Sequence, residues 1–355
     1  MTPREQIGSF GRGLRKRTFM TQIQIDPNST SGDADVKADP AMGTTALPGR
    51  EALDRAALMR LSEKSDAAGL VRLAGHLAAI AAGAAAVYLA GENWWLKLPA
   101  MVLLGFTLTT LFAPMHECVH ATPFASRRLN RLVGWFTGAA VGWNFTYYRR
   151  FHAWHHRYTQ DPENDPELAT PKPDGLWAYA KRLSGIPYYV MQAHALFQCA
   201  TGRVGQAAYI PARGVSEIQS SAWAQIGLYG GIATVSLAFQ SWAAVIYWAL
   251  PMLMAQPLMR IILLAEHTGC SEDRNGLTNT RTTLTNPLVR FLMWNMPFHA
   301  EHHLYPSVPF YKLPEAHAAI RARLAVVSGG YPAAHREIRA DMRGEALFPE
   351  NAHGR

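Results

Sequence analysis

Histidine is concentrated in three short windows of this chain. His116-Glu-Cys-Val-His120 reads HxxxH, His152-Ala-Trp-His155-His156 reads HxxHH, and His299-Ala-Glu-His302-His303 reads HxxHH again. Eight of the 14 histidines lie in these windows. On a helix, positions i, i+3 and i+4 share one face, so each window points its imidazoles the same way. Imidazole is a ligand for Fe, Zn, Cu and Ni. Eight imidazoles are too many for one ion, and two ions with four to five nitrogen ligands each is the natural division. A structural zinc needs four ligands and no open position. So rich a site beside apolar segments suits redox chemistry on a greasy substrate. The soluble dimetal pattern, with paired Glu-x-x-His motifs inside a bundle, is absent.

The segments around these windows must bring them together. Two apolar blocks of about twenty residues, near 70–90 and 94–115, each have the length that crosses hydrocarbon as a helix. Gly-Glu-Asn-Trp-Trp at 91–95 separates them, a short turn with an aromatic pair suited to the bilayer interface. A second apolar region, about 222–265, is broken near Phe239–Gln240–Ser241 and supplies two more helices, the latter kinked at Pro251 and Pro257. The pattern predicts four spans in two hairpins. Residues 129–148 are apolar but rich in Gly and aromatics and carry arginine at both ends, which predicts an interfacial segment. An amphipathic helix is expected around 50–64 and another over 316–327.

Lys and Arg crowd residues 50–72, 127–182 and 274–343, while the hairpin turns carry almost none, Lys97 excepted. By the positive-inside rule both termini and all segments between hairpins are cytoplasmic. His116 and His120 then sit at the cytoplasmic end of the second span. The other two windows lie on the same side, so all eight histidines can converge at one membrane boundary. His267, just past the fourth span, is a ninth candidate ligand at the same depth. His76, His194, His317, His335 and His353 are read as non-ligands.

Composition agrees. Charged residues are 17% of the 355, well below the usual quarter, and the mean hydropathy near zero reflects apolar blocks beside a polar remainder. The net charge of +8 lies mostly beside apolar blocks, which points to lipid headgroups and topology rather than to nucleic acid. Cys118, Cys199 and Cys270 are far apart and odd in number, which excludes a disulfide framework, a zinc ribbon and an iron–sulfur cluster. Residues 1–50 read as a disordered cytoplasmic tail with no apolar signal core, 51–325 as the membrane domain with its cap, and 326–355 as a C-terminal cytoplasmic tail.

The three histidine boxes, their order and their placement after apolar spans resemble the membrane fatty acid desaturase/hydroxylase family. His-His-Leu-Tyr-Pro-Ser-Val-Pro at 302–309, Leu-Pro at 313–314, and Asp161-Pro-Glu-Asn-Asp-Pro-Glu167 are similar to its bacterial members. The resemblance covers about residues 70–320. It implies an all-α integral membrane fold with four transmembrane helices, interfacial helices and a cytoplasmic helical cap holding a diiron site, in a bacterial inner membrane. It implies as iron ligands His116, His120, His152, His155, His156, His299, His302 and His303, with His267 as the further one. Some members carry an Asn four residues before that last histidine, holding a metal-bound water. Here that position is Leu263.

The activity so implied is oxygen-dependent desaturation of a lipid acyl chain. The alternatives are a hydroxylase or ketolase of a lipid, sphingoid base, carotenoid or alkane on the same scaffold and, from another class, a non-catalytic metal-binding or metal-transporting membrane protein. The chain carries no G-x-G-x-x-G, no cysteine cluster and no His-Pro-Gly-Gly haem motif, so electrons are expected from a separate ferredoxin or cytochrome b5-like donor, steered by the basic surface. Glu117, Asp161, Asp165, Glu266 and Glu301 are candidate acids to orient imidazoles. Trp143, Phe145, Tyr147, Trp154 and Trp294 are assigned no role.

Overall fold

The computed structural model describes residues 49–345. The expected tail at 1–50 lies almost wholly outside them, as does His353. The described chain is helical apart from one two-residue parallel ladder.

A short helix α1 (Arg55–Leu61) leads into α2 (Asp66–Leu89), whose first turn is capped by the Ser65 hydroxyl accepting from the Ala68 amide. The chain turns at Gly91 and returns as α3 (Trp94–Thr109), capped by Asn93 and continued after a one-turn offset by α4 (Phe112–Val119). Asp66–Leu89 and Trp94–Val119 are each long and apolar enough to cross a membrane, and so is Val245–His267 further on.

Then come α5 (Arg127–Val141) and α6 (Phe145–Tyr158). The apolar stretch expected to run on to Tyr148 is therefore two helices. Gly142 at φ +86° ends the first, and the Asn144 side chain accepts from the Tyr147 amide to start the second.

Two further helices, α7 (Leu176–Leu183) and α8 (Ile186–Thr201), precede the long α9 (Ala212–Ala238). Helix α9 has 27 residues, but Gln219, Ser220, Ser221 and Gln225 make it less apolar than the other three long helices. The break at 239–241 stands where the sequence places it. The returning helix α10 (Leu250–His267) is preceded by one wider π-type turn, Val245–Ala249. Pro251 lacks the amide that regular helix needs there, and the wider turn accommodates it.

The close approach of α3 and α10 depends on one residue. A Cβ on Gly105 would lie 1.9 Å from the Pro251 carbonyl oxygen, so only glycine lets the helices meet. On the other side of α3, Gly83 of α2 lies against Leu104. Buried Met101, Leu104, Met252, Met259 and Ile262 fill the space between these helices.

The remaining elements form the histidine end. They are β1 (Thr282–Thr283), α11 (Pro287–Leu292), α12 (His299–Leu304), α13 (Leu313–Ile320), β2 (Val327–Ser328) and α14 (Tyr331–Asp341). Leu53, Leu61, Phe298, Leu304, Val308, Leu313 and Ile320 make a second apolar core beneath them.

Two expectations are corrected here. The helix expected over 316–327 stops at Ile320, because the chain turns to pair β2 with β1 in the register Thr282↔Val327 and Thr283↔Ser328. The tail expected from 326 folds through Asp341. Ala334, His335 and Ile338 of α14 are buried against α10, and His335 Nε2 donates to the Ile261 carbonyl at 2.7 Å.

Candidate metal centre

Four helices deliver the nine histidines. Helix α4 ends at His116 and His120, α6 carries His152, His155 and His156 on its last turns, α10 ends at His267, and α12 carries His299, His302 and His303. The i, i+3, i+4 spacing presents each trio on one face. Two groups result. His116, His120, His152, His156 and His302 bring one nitrogen each within 4.8 Å of one another, and so do His155, His267 and His303. His299 adjoins the second group, with Nε2 3.2 Å from His267 Nε2 and 3.1 Å from His303 Nε2.

The nitrogens fit shared cations. His116 Nε2 lies 2.8 Å from His302 Nε2 and 3.1 Å from His152 Nε2, which in turn lies 2.9 Å from His156 Nε2. Neutral imidazoles in such a chain cannot all satisfy one another, since each has one donor and one acceptor nitrogen. Two ligands on one ion with bonds of about 2.1 Å stand roughly 3 Å apart, the spacing seen. His120 Nε2 is buried with no hydrogen-bond partner among the described residues.

Neighbouring groups fix which nitrogen faces inward. His155 Nδ1 donates to Asp165 Oδ1 at 2.9 Å. His303 Nδ1 donates at 3.1 Å to Thr159 Oγ1, whose own proton is committed to the His155 carbonyl. His267 Nδ1 donates to the Asn279 carbonyl at 3.2 Å. Each bond leaves Nε2 as the free acceptor. The Tyr148 hydroxyl stands 3.4 and 3.3 Å from Nδ1 of His116 and His152.

Charge follows the same pattern. Burial, and then repulsion among neighbouring imidazoles, holds His152, His156, His299, His302 and His303 well below the ordinary histidine pKa. Burial pushes His120 down to about 3. These rings are neutral and available as ligands at neutral pH. For His155 burial also opposes charge, but Glu167 and Asp165 outweigh it and raise its pKa.

Of the five acids singled out in the sequence, Asp165 alone makes a hydrogen bond to a box histidine. Glu117 is buried, bonds Thr122 and the Phe310 amide, and keeps Oε1 at 3.6 Å from His302 Nδ1. Glu301 turns away from its own box to His317 Nδ1 and to Thr282 Oγ1. Asp161 is a surface turn residue bonded to Glu163 and Asn164. Glu266 Oε2 lies 3.5 Å from His299 Nε2, the nitrogen that faces inward.

The histidines read as non-ligands have other work. His76 bonds the Thr107 carbonyl and Trp294 Nε1, His335 bonds Tyr179 and Ile261, and His194 bonds Gln198. The roles of Thr159 and Tyr148 are missing from the sequence reading. Both sit one helical turn from a box histidine, at positions 155→159 and 148→152, and that spacing is the signal for them.

Buried histidines able to hold metal, set at one end of long apolar helices, define a class of membrane-type oxidoreductase. The chain belongs to the fatty acid desaturase family. The family model described as fatty acid desaturase matches residues 92–341, more than half of the chain. The chain is also similar to an sn-1 oleoyl-lipid 12-desaturase of Picosynechococcus sp., 26% identical over 258 residues that cover 66% of this chain and 71% of that protein. A dihydrorhizobitoxine desaturase of Bradyrhizobium elkanii is 28% identical over 244 residues, 63% of this chain and 67% of its own. An sn-1 oleoyl-lipid 12-desaturase of Anabaena variabilis is 25% identical over 254 residues, 66% and 71% respectively. The chain is thus an enzyme of the desaturase type, and the non-catalytic metal-binding reading falls.

Proposed function

We propose that this enzyme introduces a double bond into the acyl chain of a membrane lipid, using dioxygen and two irons held by the nine histidines. The observation that carries the reading is the gathering of nine imidazoles, eight buried and His120 half-buried, into a group of five and a neighbouring group of four at the end of apolar helices. The irons, when bound, supply dioxygen activation and the oxidising power to take hydrogen from an unactivated C–H bond. The chain supplies the rest. Asp165, Thr159 and the Asn279 carbonyl lock the tautomers of His155, His303 and His267, and the surrounding core keeps the centre dry.

In this reading α2, α3 with α4, α9, and α10 cross the bilayer as two hairpins, with the histidine end and both termini in the cytoplasm. Exposed Trp94, Trp95, Phe239 and Trp242 mark both hairpin tips, where aromatic side chains suit the far interface. The arginines of α5 and α6 lie at the histidine end. The lipid substrate accords with the two relatives named for oleoyl-lipid. The relative named for dihydrorhizobitoxine keeps a different substrate as the second reading. Hydroxylation remains the alternative outcome of the same chemistry.

Electrons come from a separate ferredoxin or cytochrome b5-like donor. A shallow cleft opens over His156 and His303, with Arg50, Arg157 and Arg274 on its wall. None of the three pairs with a carboxylate among the described residues, which leaves their charge for an acidic partner.

The test is expression in a host of known lipid composition, with fatty acids profiled by mass spectrometry and iron counted per purified chain. Two irons and a new unsaturated acyl species are expected. A hydroxylated product moves the assignment to the hydroxylase, and a well-folded protein that takes zinc and gains no activity on iron loading overturns it.

A further inference from the structure

The two histidine groups are unequal. One has five imidazoles, the other four, counting His299. Leu263, one turn before His267 on α10, offers no donor atom. One helical position short of His267, however, Glu266 turns its carboxylate toward the centre. Its Oε2 lies 3.5 Å from His299 Nε2, the atom that also stands 3.2 and 3.1 Å from His267 and His303 Nε2. Ligands sharing one ion at bonds of about 2.1 Å are separated by roughly 3.0–3.4 Å, so the oxygen stands at the edge of a coordination shell. It makes no hydrogen bond among the described residues, so no competing contact holds it away.

Charge balance argues the same way. Nine neutral imidazoles leave the full charge of two iron ions uncompensated in a buried site, and buried charge is tolerated when paired. Asp165 serves His155 from behind, and Glu301 is committed to His317 and Thr282. Glu167 Oε2 lies 3.7 Å from His155 Nε2 but is more than a third exposed. Glu117 is fully buried, but it faces Nδ1 of His302, whose Nε2 is the nitrogen turned to His116. Glu266, with 15% exposure, is the enclosed carboxylate that faces an inward nitrogen, His299 Nε2.

Resting on the diiron reading, we infer that Glu266 is the fifth ligand of the second iron, so that this enzyme carries one all-histidine site and one carboxylate-capped site. Local backbone holds the residue in place. Arg281 donates to the Ala265 and Thr268 carbonyls at 2.5 and 2.7 Å, and its own amide donates to the Glu266 carbonyl at 2.8 Å. The last turn of α10 is thereby clamped on both sides of the Glu266–His267 pair.

The experiment is Mössbauer spectroscopy and iron counting on 57Fe-loaded wild type, Glu266→Gln and Glu266→Asp in detergent, with size-exclusion profiles as the folding control. The wild type is expected to show two inequivalent irons in equal amounts. In Glu266→Gln the iron content falls from two toward one per chain, or one doublet shifts while the other is unchanged. If the Gln variant aggregates, Glu266→Asp, which keeps the charge on a shorter arm, is expected to hold two irons with one doublet displaced. Two irons with both doublets unchanged in either soluble variant overturn the assignment. A wild type that binds no iron instead overturns the diiron reading on which it rests.

Discussion

Asp165→Asn tests whether the second histidine group is built around the tautomer of His155. The carboxylate makes three bonds: Oδ1 accepts from His155 Nδ1 at 2.9 Å and from the Glu167 amide at 2.9 Å, and Oδ2 accepts from the Gln160 amide at 2.8 Å. An asparagine can keep its oxygen on the first two, but its NH2 then faces the Gln160 N–H, donor against donor. Flipping the amide rescues Gln160 and abandons His155 and Glu167. Either way a buried donor is orphaned, a cost of about 1–3 kcal/mol to the folded protein. Loss of the anionic partner also weakens His155 as a ligand. Such outer contacts are worth about 10–100-fold in metal affinity, or roughly 1.4–2.8 kcal/mol. The assay is iron binding in competition with a calibrated chelator, alongside thermal unfolding, with Asp161→Asn as the control. Asp161 sits four residues away on the surface and bonds only within its turn, so its change should stay within about 0.5 kcal/mol. One weakened iron site of two in Asp165→Asn, with Asp161→Asn unaltered, is expected. Equal iron affinity and stability in the two variants refute the reasoning.

Further outcomes follow from the same contacts. Gly105→Ala puts a methyl 1.9 Å from the Pro251 oxygen, and since backbone must move, unfolding in detergent should come several degrees lower; an unchanged melting temperature rejects the packing described. Thr159→Val removes the acceptor of His303 Nδ1 and should lower iron affinity, while Thr159→Ser retains it; chelator competition on the pair reads this directly. Acid should destabilise the metal-free protein: His120 falls from the ordinary 6.5 to about 3, so the unfolded chain binds more protons below 6.5. Its contribution is present above pH 6.5 and declines by about 1.4 kcal/mol per pH unit as pH falls toward 3. His155, raised instead, works in the opposite sense, stabilising below 6.5 and losing that contribution as pH climbs through its folded value. Denaturant midpoints of metal-free protein that stay flat from pH 7 to 5 contradict this.

Much of the centre is legible before any coordinates. Side-chain spacing within one helix is a local property, so His152 with His155 and His156, or His299 with His302 and His303, declare a shared face in the sequence itself. Three long apolar helices, Asp66–Leu89, Trp94–Val119 and Val245–His267, are visible for the same reason, since length and hydropathy are properties of contiguous residues. Partners supplied across space are not. The acceptor for His267 is a main-chain carbonyl of Asn279, which any residue type provides, and nothing in the letters marks it. Glu301 lies between histidines in its own box yet points to His317, because α13 packs behind α12. The segment after 325 reads as a polar tail because its burial depends on α10, whose surface accepts Ala334, His335 and Ile338.

That last segment sets the order of assembly. The turn of α10 bearing His267 is gripped by Arg281, whose Nε faces Glu337 of α14 at 3.5 Å, and Ser328 of β2 holds the same carboxylate at 2.6 Å. Residues 328 and 337 leave the ribosome after all three boxes. Chains fold N-terminal parts first during synthesis, so the long apolar helices can form while the pocket still lacks its brace. The finished histidine cluster is a product of the completed polypeptide. The clasp around His267 therefore closes only on the completed chain, and a ribosome stalled short of these residues displays the histidines without it.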